Sequence, residues 1–89
     1  MYEKLKNPDH IIETKAEFIE LLESFIEGAE EGKDCVAIYF ELPGLTEPEI
    51  IVNPIVNVPK KLEYYGAAYN DEMKLNNNNA VKVIGVSFL

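Results

Sequence analysis

The stretch "TKAEFIELLESFIEGAE", residues 14 to 30, constrains this chain more than any other. Thr14 and Glu17 have the form of a capping box: the threonine oxygen can accept from the Glu17 amide while the Glu17 carboxylate reaches back. Behind the box Phe18, Leu21, Leu22, Phe25, Ile26 and Ala29 recur at three- and four-residue spacing. At about 100° per residue they fall within an arc of roughly 160°, and Glu13, Glu20, Glu23, Glu27, Glu30 and Glu31 cover the opposite side. The spacing predicts a helix over about 15–31, stopped at Gly32 and weakened in its last turn by Gly28. Its acidic first turn suits the helix dipole, whereas Glu30 and Glu31 oppose it at the other end.

A helix greasy on one side needs a layer to cover. The run "CVAIYFEL", residues 35 to 42, is β-branched and aromatic and too short for a helix; it predicts a central strand, apolar on both faces until Glu41. Pro43-Gly44 fits the central pair of a type II turn. Then "EIIV", residues 49 to 52, opens a second strand that Asn53-Pro54 should end, giving an antiparallel hairpin. Pro59 marks a first helical turn after Asn57 or Val58 as the cap, and Leu62, Tyr65, Ala68 and Tyr69 share a face, so a second helix is expected over about 59–70. Gly66 costs that helix roughly 1 kcal/mol relative to alanine. "NNNN", residues 76 to 79, reads as an exposed loop, and "AVKVIGVSFL" as a closing strand with Gly85 at a bulge or close approach.

Residues 1 to 12 are a lead-in, uncharged on balance, in which Pro8 opposes a long helix and Ile11 and Ile12 should dock. The order is α-β-β-α-β in one domain of 89 residues, 47% of them hydrophobic. The expected class is α+β: a two-layer sandwich, its three-stranded sheet carrying two helices on one face. Without a bulge, Val81 and Val83 would point one way and Ile84, Val86 and Phe88 the other. That is too much apolar surface for a sheet wet on one side, so a homo-oligomer or a protein partner is one way to cover it.

The chemistry-bearing residues are few. His10 is the only histidine and Cys35 the only cysteine, the latter expected as a small buried hydrophobe in a strand interior. No catalytic Cys–His pair, Ser–His–acid set, zinc site, calcium loop or phosphate loop is assembled from these residues, so no enzyme, cofactor or metal is expected. Glu30, Glu31 and Asp34 could at most hold a divalent cation loosely. No apolar run reaches membrane-span length, and the start lacks a signal peptide's apolar stretch. With one cysteine besides, the expected compartment is the cytoplasm. There is no arginine among the 8 cationic residues, and net charge is −8, which argues against direct binding of nucleic acid.

What remains is charge. From Glu13 to Asp34 stand eight acids and two lysines, −6 of the total −8. Seven glutamates over about 27 Å of helix give roughly one charge per 4 Å, near the spacing of a nucleic-acid strand. A protein occupying a nucleic-acid site on another protein could use such a stripe, and a solvated helix face is the plain alternative. Glu20, Glu23, Glu27 and Glu30 are therefore the candidate partner-binding residues. Tyr64 joins them with Lys60 or Lys61, because Tyr65 and Tyr69 have core spacing while Tyr64 sits a quarter-turn away.

"ELPGLTEPEIIVNP", "KKLEYYGAAYNDEMKL" and the terminal "VKVIGVSF" together resemble short proteins encoded by phages and prophages of low-GC Gram-positive bacteria, over about residues 35 to 89. The resemblance carries no catalytic motif. It implies a small, acidic, non-enzymatic protein that binds, and so modulates or inhibits, a host protein. The other readings are an assembly module acting as a homo-oligomer and a small-ligand sequestering protein with a pocket near Tyr65 and Tyr69.

Overall fold

The computed structural model describes residues 7–28 and 33–89, which form an α+β structure of two helices and a five-stranded antiparallel sheet. In chain order the elements are β1 (His10–Ile11), α1 (Lys15–Glu27), β2 (Cys35–Glu41) and β3 (Glu49–Pro54). A 3-10 turn (Ile55–Asn57) leads into α2 (Val58–Ala68), followed by β4 (Lys74–Leu75) and β5 (Asn78–Phe88). The strands run β1-β5-β2-β3, and β4 pairs with the first part of β5.

The expected three-stranded sheet therefore gains two strands, β1 from the lead-in and β4 from "KL". Each has two residues, too few for alternation to register in a sequence. The asparagine run is also more ordered than a loop. Leu75 pairs with Asn78, so Asn76 and Asn77 form a tight hairpin turn, and Asn78 and Asn79 begin β5. Asparagine suits such turns because it tolerates their backbone geometry.

The capping box forms as the sequence predicts: the Glu17 amide donates to Thr14 Oγ1 at 3.2 Å, and the Thr14 amide to Glu17 Oε1 at 3.0 Å. The helix stops earlier than expected, at Glu27 instead of about residue 31, where the Gly28 amide donates to the Ser24 carbonyl at 2.8 Å. A glycine at that point, with no basic residue in the last turn, explains the early stop. Ala29, Glu30, Glu31 and Gly32 lie outside the described residues.

Phe18, Leu22 and Phe25 of α1 and Val58 and Tyr65 of α2 share one buried cluster with Val36, Ile38, Phe40, Val83 and Val86 of the sheet. Both helices thus cover the same face, as expected. Pro59 lies in the first turn of α2, whose N-cap residue Asn57 makes no side-chain bond to it. The β2–β3 connection is the anticipated type II turn: Gly44 has φ +82° and the Leu45 amide donates to the Leu42 carbonyl at 3.3 Å. β3 continues through Asn53 to Pro54, which its place at the sheet edge allows, since an edge proline need not supply a ladder donor. Cys35 is the first residue of β2, half-buried, and so is not in a strand interior.

The register of β5 against β2 shifts at Ile84: Tyr39 faces Gly85, but Phe40 faces Val83. This bulge puts Val83, Val86 and Phe88 opposite Phe40, Ile38 and Val36, all toward the helices. The expected split of these side chains between two faces does not occur, and the surplus that argued for a partner on the far face shrinks accordingly. The centre of that face is closed as well. Tyr39 is fully buried there, donating to the Asn7 carbonyl at 3.4 Å and accepting from Ser87 Oγ at 3.3 Å. Ser87 Oγ in turn accepts from the Asp9 amide at 2.9 Å. Pro8 lies against Gly85. Of the two isoleucines expected to dock, Ile12 is buried and Ile11 is 65% exposed.

Gly66 and Gly85 should respond in opposite ways to a methyl group. A Cβ on Gly66 meets nothing within 4 Å, so Gly66→Ala should raise the melting temperature by about 2–6 °C. A Cβ on Gly85 would strike Pro8 and come within 2.8 Å of the His10 carbonyl. Gly85→Ala should cost about 1–3 kcal/mol, read by denaturant unfolding.

Candidate protein-docking face

The outer side of α1 is held from within. Phe18 and Leu22 are fully buried, and Phe25 stacks on Phe88 with ring centroids 4.6 Å apart. At its start the Lys15 amide, one of the donors a helix leaves unpaired, donates to the Asp71 carbonyl at 2.7 Å. Lys15 Nζ donates to the Gly66 carbonyl of α2 at 2.9 Å. The helix can neither roll nor slide without breaking these contacts.

Glu20, Glu23 and Glu27 are exposed on the opposite side, and among the described residues none of them is in an ion pair. They border two different hollows. Glu23 and Glu27 line a groove of about 480 Å³ between α1 and α2, with Ile19 and Ile26 from α1 and Leu62, Pro59 and Glu63 from α2. Glu20 faces the other flank, a depression of about 350 Å³ shared with His10, Glu17 and Leu21. Glu30 lies outside the described residues. The even stripe of seven charges over about 27 Å is not what α1 carries: Glu13 precedes the helix, Glu17 is committed to the capping box, and the helix has 13 residues.

Tyr64 is 53% exposed and leans on Tyr65 and Tyr69, with centroids at 5.2 and 6.3 Å. It does not line the groove. Tyr65 and Tyr69 are buried, as their spacing predicts, and Tyr65 also meets the rings of Phe18 at 5.2 Å and Phe40 at 6.2 Å. Tyr65 and Tyr69 are also in contact with each other, with ring centroids 5.2 Å apart. Comparison of the chain with protein-family models, with curated proteins and with solved structures finds no match in any of the three.

The groove residues Ile19, Leu62 and Glu63 were not candidates in the sequence. A signal for the first existed: Ile19 and Ile26 are seven apart, at the border between the apolar and acidic sides of the helix. Nothing in the sequence shows which α2 residues lie across from them.

His10 and Cys35 are kept apart by the sheet order. His10 is in β1 against the Phe25 ring, while Cys35 is in β2 paired with Pro54, and β5 runs between. Burial pushes the Cys35 thiol up, and the Asp34 carboxylate, 3.4 Å from Sγ, adds to the rise. A raised thiol is a poor nucleophile at neutral pH. Among the described residues no group of three or more His, Cys, Asp or Glu is placed to hold a metal ion, and no helix is long and apolar enough to cross a membrane.

Burial also pushes the Tyr65 phenol well above its ordinary range, with Tyr69 and then Tyr64 adding to it, and burial followed by Tyr64 raises Tyr69. Both phenols thus stay neutral in the fold past the pH of about 10 at which an unfolded tyrosine ionises. Their contribution to stability is complete below that pH and is lost as pH rises toward the folded values. Guanidinium unfolding at about pH 9 and about pH 11 should show a smaller loss for the Tyr65→Phe, Tyr69→Phe double variant than for the parent protein.

Proposed function

We propose that this is a non-enzymatic binding protein, phage- or prophage-encoded and acting in the cytoplasm, that modulates or inhibits a host protein through the acidic face of α1. The observation that carries this reading is the way Glu20, Glu23 and Glu27 are presented. They stand on a helix pinned by its buried side and its start, and no described residue pairs with them. Carboxylates on a pinned helix, unpaired among the described residues, keep their attraction for a cationic partner, and the rigid backbone beneath them loses little freedom on docking. The absence of arginine and the net charge of −8 point the same way, toward a basic protein surface and away from nucleic acid.

The test is affinity capture from the host with the parent protein and with the Glu20→Gln, Glu23→Gln, Glu27→Gln variant, washed at about 50 and about 300 mM salt. A specific protein retained by the parent at low salt, and bound at least about tenfold more weakly by the variant, supports the reading. Equal retention by the two, or retention indifferent to salt, rejects it. Unchanged circular dichroism of the variant confirms that its fold survives.

A further inference from the structure

The groove between α1 and α2 is more specific than an acidic helix face. We infer that it is a docking site for a cationic amphipathic helix, the apolar face of the partner lying on Ile19, Ile26 and Leu62 and its lysines or arginines reaching Glu23, Glu27 and Glu63. This rests on the acidic-face reading for the use of Glu23 and Glu27 and adds the class of partner.

Three features select that occupant. The floor is aliphatic: Ile19, Ile26 and Leu62 pack against the core from below and are half-buried, so each leaves part of an apolar side chain in the groove. The floor is also periodic. Ile19 and Ile26 stand two helical turns apart, about 10.5 Å, which is the distance between residues i and i+7 on a partner helix. Finally the rims are acidic on both sides, with Glu23 and Glu27 on α1 and Glu63 on α2, and no described lysine lines the groove. None of the three carboxylates is in an ion pair with a described residue.

The complement of an aliphatic floor between two acidic rims is an apolar stripe between two cationic ones. A second copy of this chain does not supply it, because its own exposed helix face is acidic and its net charge is −8. A purely polar cationic segment would satisfy the rims and leave the floor wet. A basic amphipathic helix satisfies both at once.

The experiment uses the full chain and two labelled peptides of identical Lys/Leu composition. One is patterned with leucine at i, i+3, i+4 and i+7, and the other is scrambled so that no leucine face forms. Fluorescence anisotropy should give binding of the patterned peptide about tenfold or more tighter than the scrambled one. Glu63→Lys, an exposed change, and Leu62→Gln should each weaken it by about fivefold or more, while Glu41→Gln, exposed at the end of β2 and away from the groove, leaves it within about twofold. Amide shifts in NMR should cluster on α1 and α2 along the groove.

Equal binding of the two peptides overturns the groove and leaves the acidic face standing as a charge-only surface. Loss on Glu20→Gln with no response to Glu63→Lys or Leu62→Gln overturns it by moving the contact to the other flank. Absence of binding to either peptide overturns it outright. So does a homodimer in sedimentation that Glu63→Lys dissolves.

Discussion

β2 is buried at five successive residues, Val36 to Phe40, and the rest of the structure answers to that. Alternate side chains of a strand point to opposite faces, so both faces of the sheet have to be closed where β2 runs. Toward the helices the closure is a thick aromatic and aliphatic layer, with Phe18 and Tyr65 5.2 Å apart over Phe40. On the far side it is thin. Ala37 lies opposite Ser87 and Tyr39 opposite Gly85, and residues 7–9 cross there through Asn7, Pro8 and Asp9. The glycine at 85 and the bulge at 84 are two parts of this arrangement. The first makes room for Pro8, and the second returns Val83 to the side on which Val86 and Phe88 already lie.

The same constraint fixes where the charge goes. Once Phe18, Leu22 and Phe25 are committed to the sheet, the opposite side of α1 has no apolar neighbour left to meet, and the glutamates are its remaining population. Lys15, at the first helical position, has its ammonium spent on the Gly66 carbonyl, where it ties α1 to α2 instead of neutralising the carboxylates along the helix. A structural cation used in this way leaves the acidic face unscreened by its own helix. Farther along, the turn after α2 makes a local concession. Met73 has φ +60°, a left-handed value that costs an ordinary residue of order 1 kcal/mol, and in return its side chain is wholly buried. Asn70 Oδ1 steadies that turn by accepting from the amides of Glu72 and Lys74.

Elements whose signal is local were legible in the sequence. The capping box and the three-and-four spacing after it define α1 without reference to any other part of the chain. Pro43-Gly44 defines the hairpin turn because only a residue tolerant of positive φ fits its second central position. What escaped depends on pairing. Ile84 looks like any strand residue until Tyr39 and Phe40 are placed opposite Gly85 and Val83. β1 and β4 have no periodicity to display, being two residues each, and exist because β5 offers a second edge. The candidate site divides in the same way. The exposure of Glu20, Glu23, Glu27 and Tyr64 followed from spacing on one helix at a time. The meeting of Glu23 and Glu27 with Glu63 across a groove is a relation between two helices, and no spacing within either one encodes it.

That relation also accounts for why the groove is open. α1 and α2 are tied at one end, where Lys15 reaches Gly66 and Asp71 and where Tyr65 wedges against Phe18. Toward the start of α2 the helices face each other with isoleucine and leucine, which would favour closure, and with carboxylates on both rims, which oppose it. Exposed like charges repel only modestly, since water and salt screen them. Closing the gap, however, would also strip water from Glu23, Glu27 and Glu63 without giving any of them a partner, and burying an unpaired carboxylate costs more than a few half-exposed aliphatic contacts return. The chain thus keeps three aliphatic side chains partly wet, since among the described residues no cation pairs with the carboxylates on the rims above them. A cation brought from outside removes that obstacle, and the apolar surface beneath is then free to be covered.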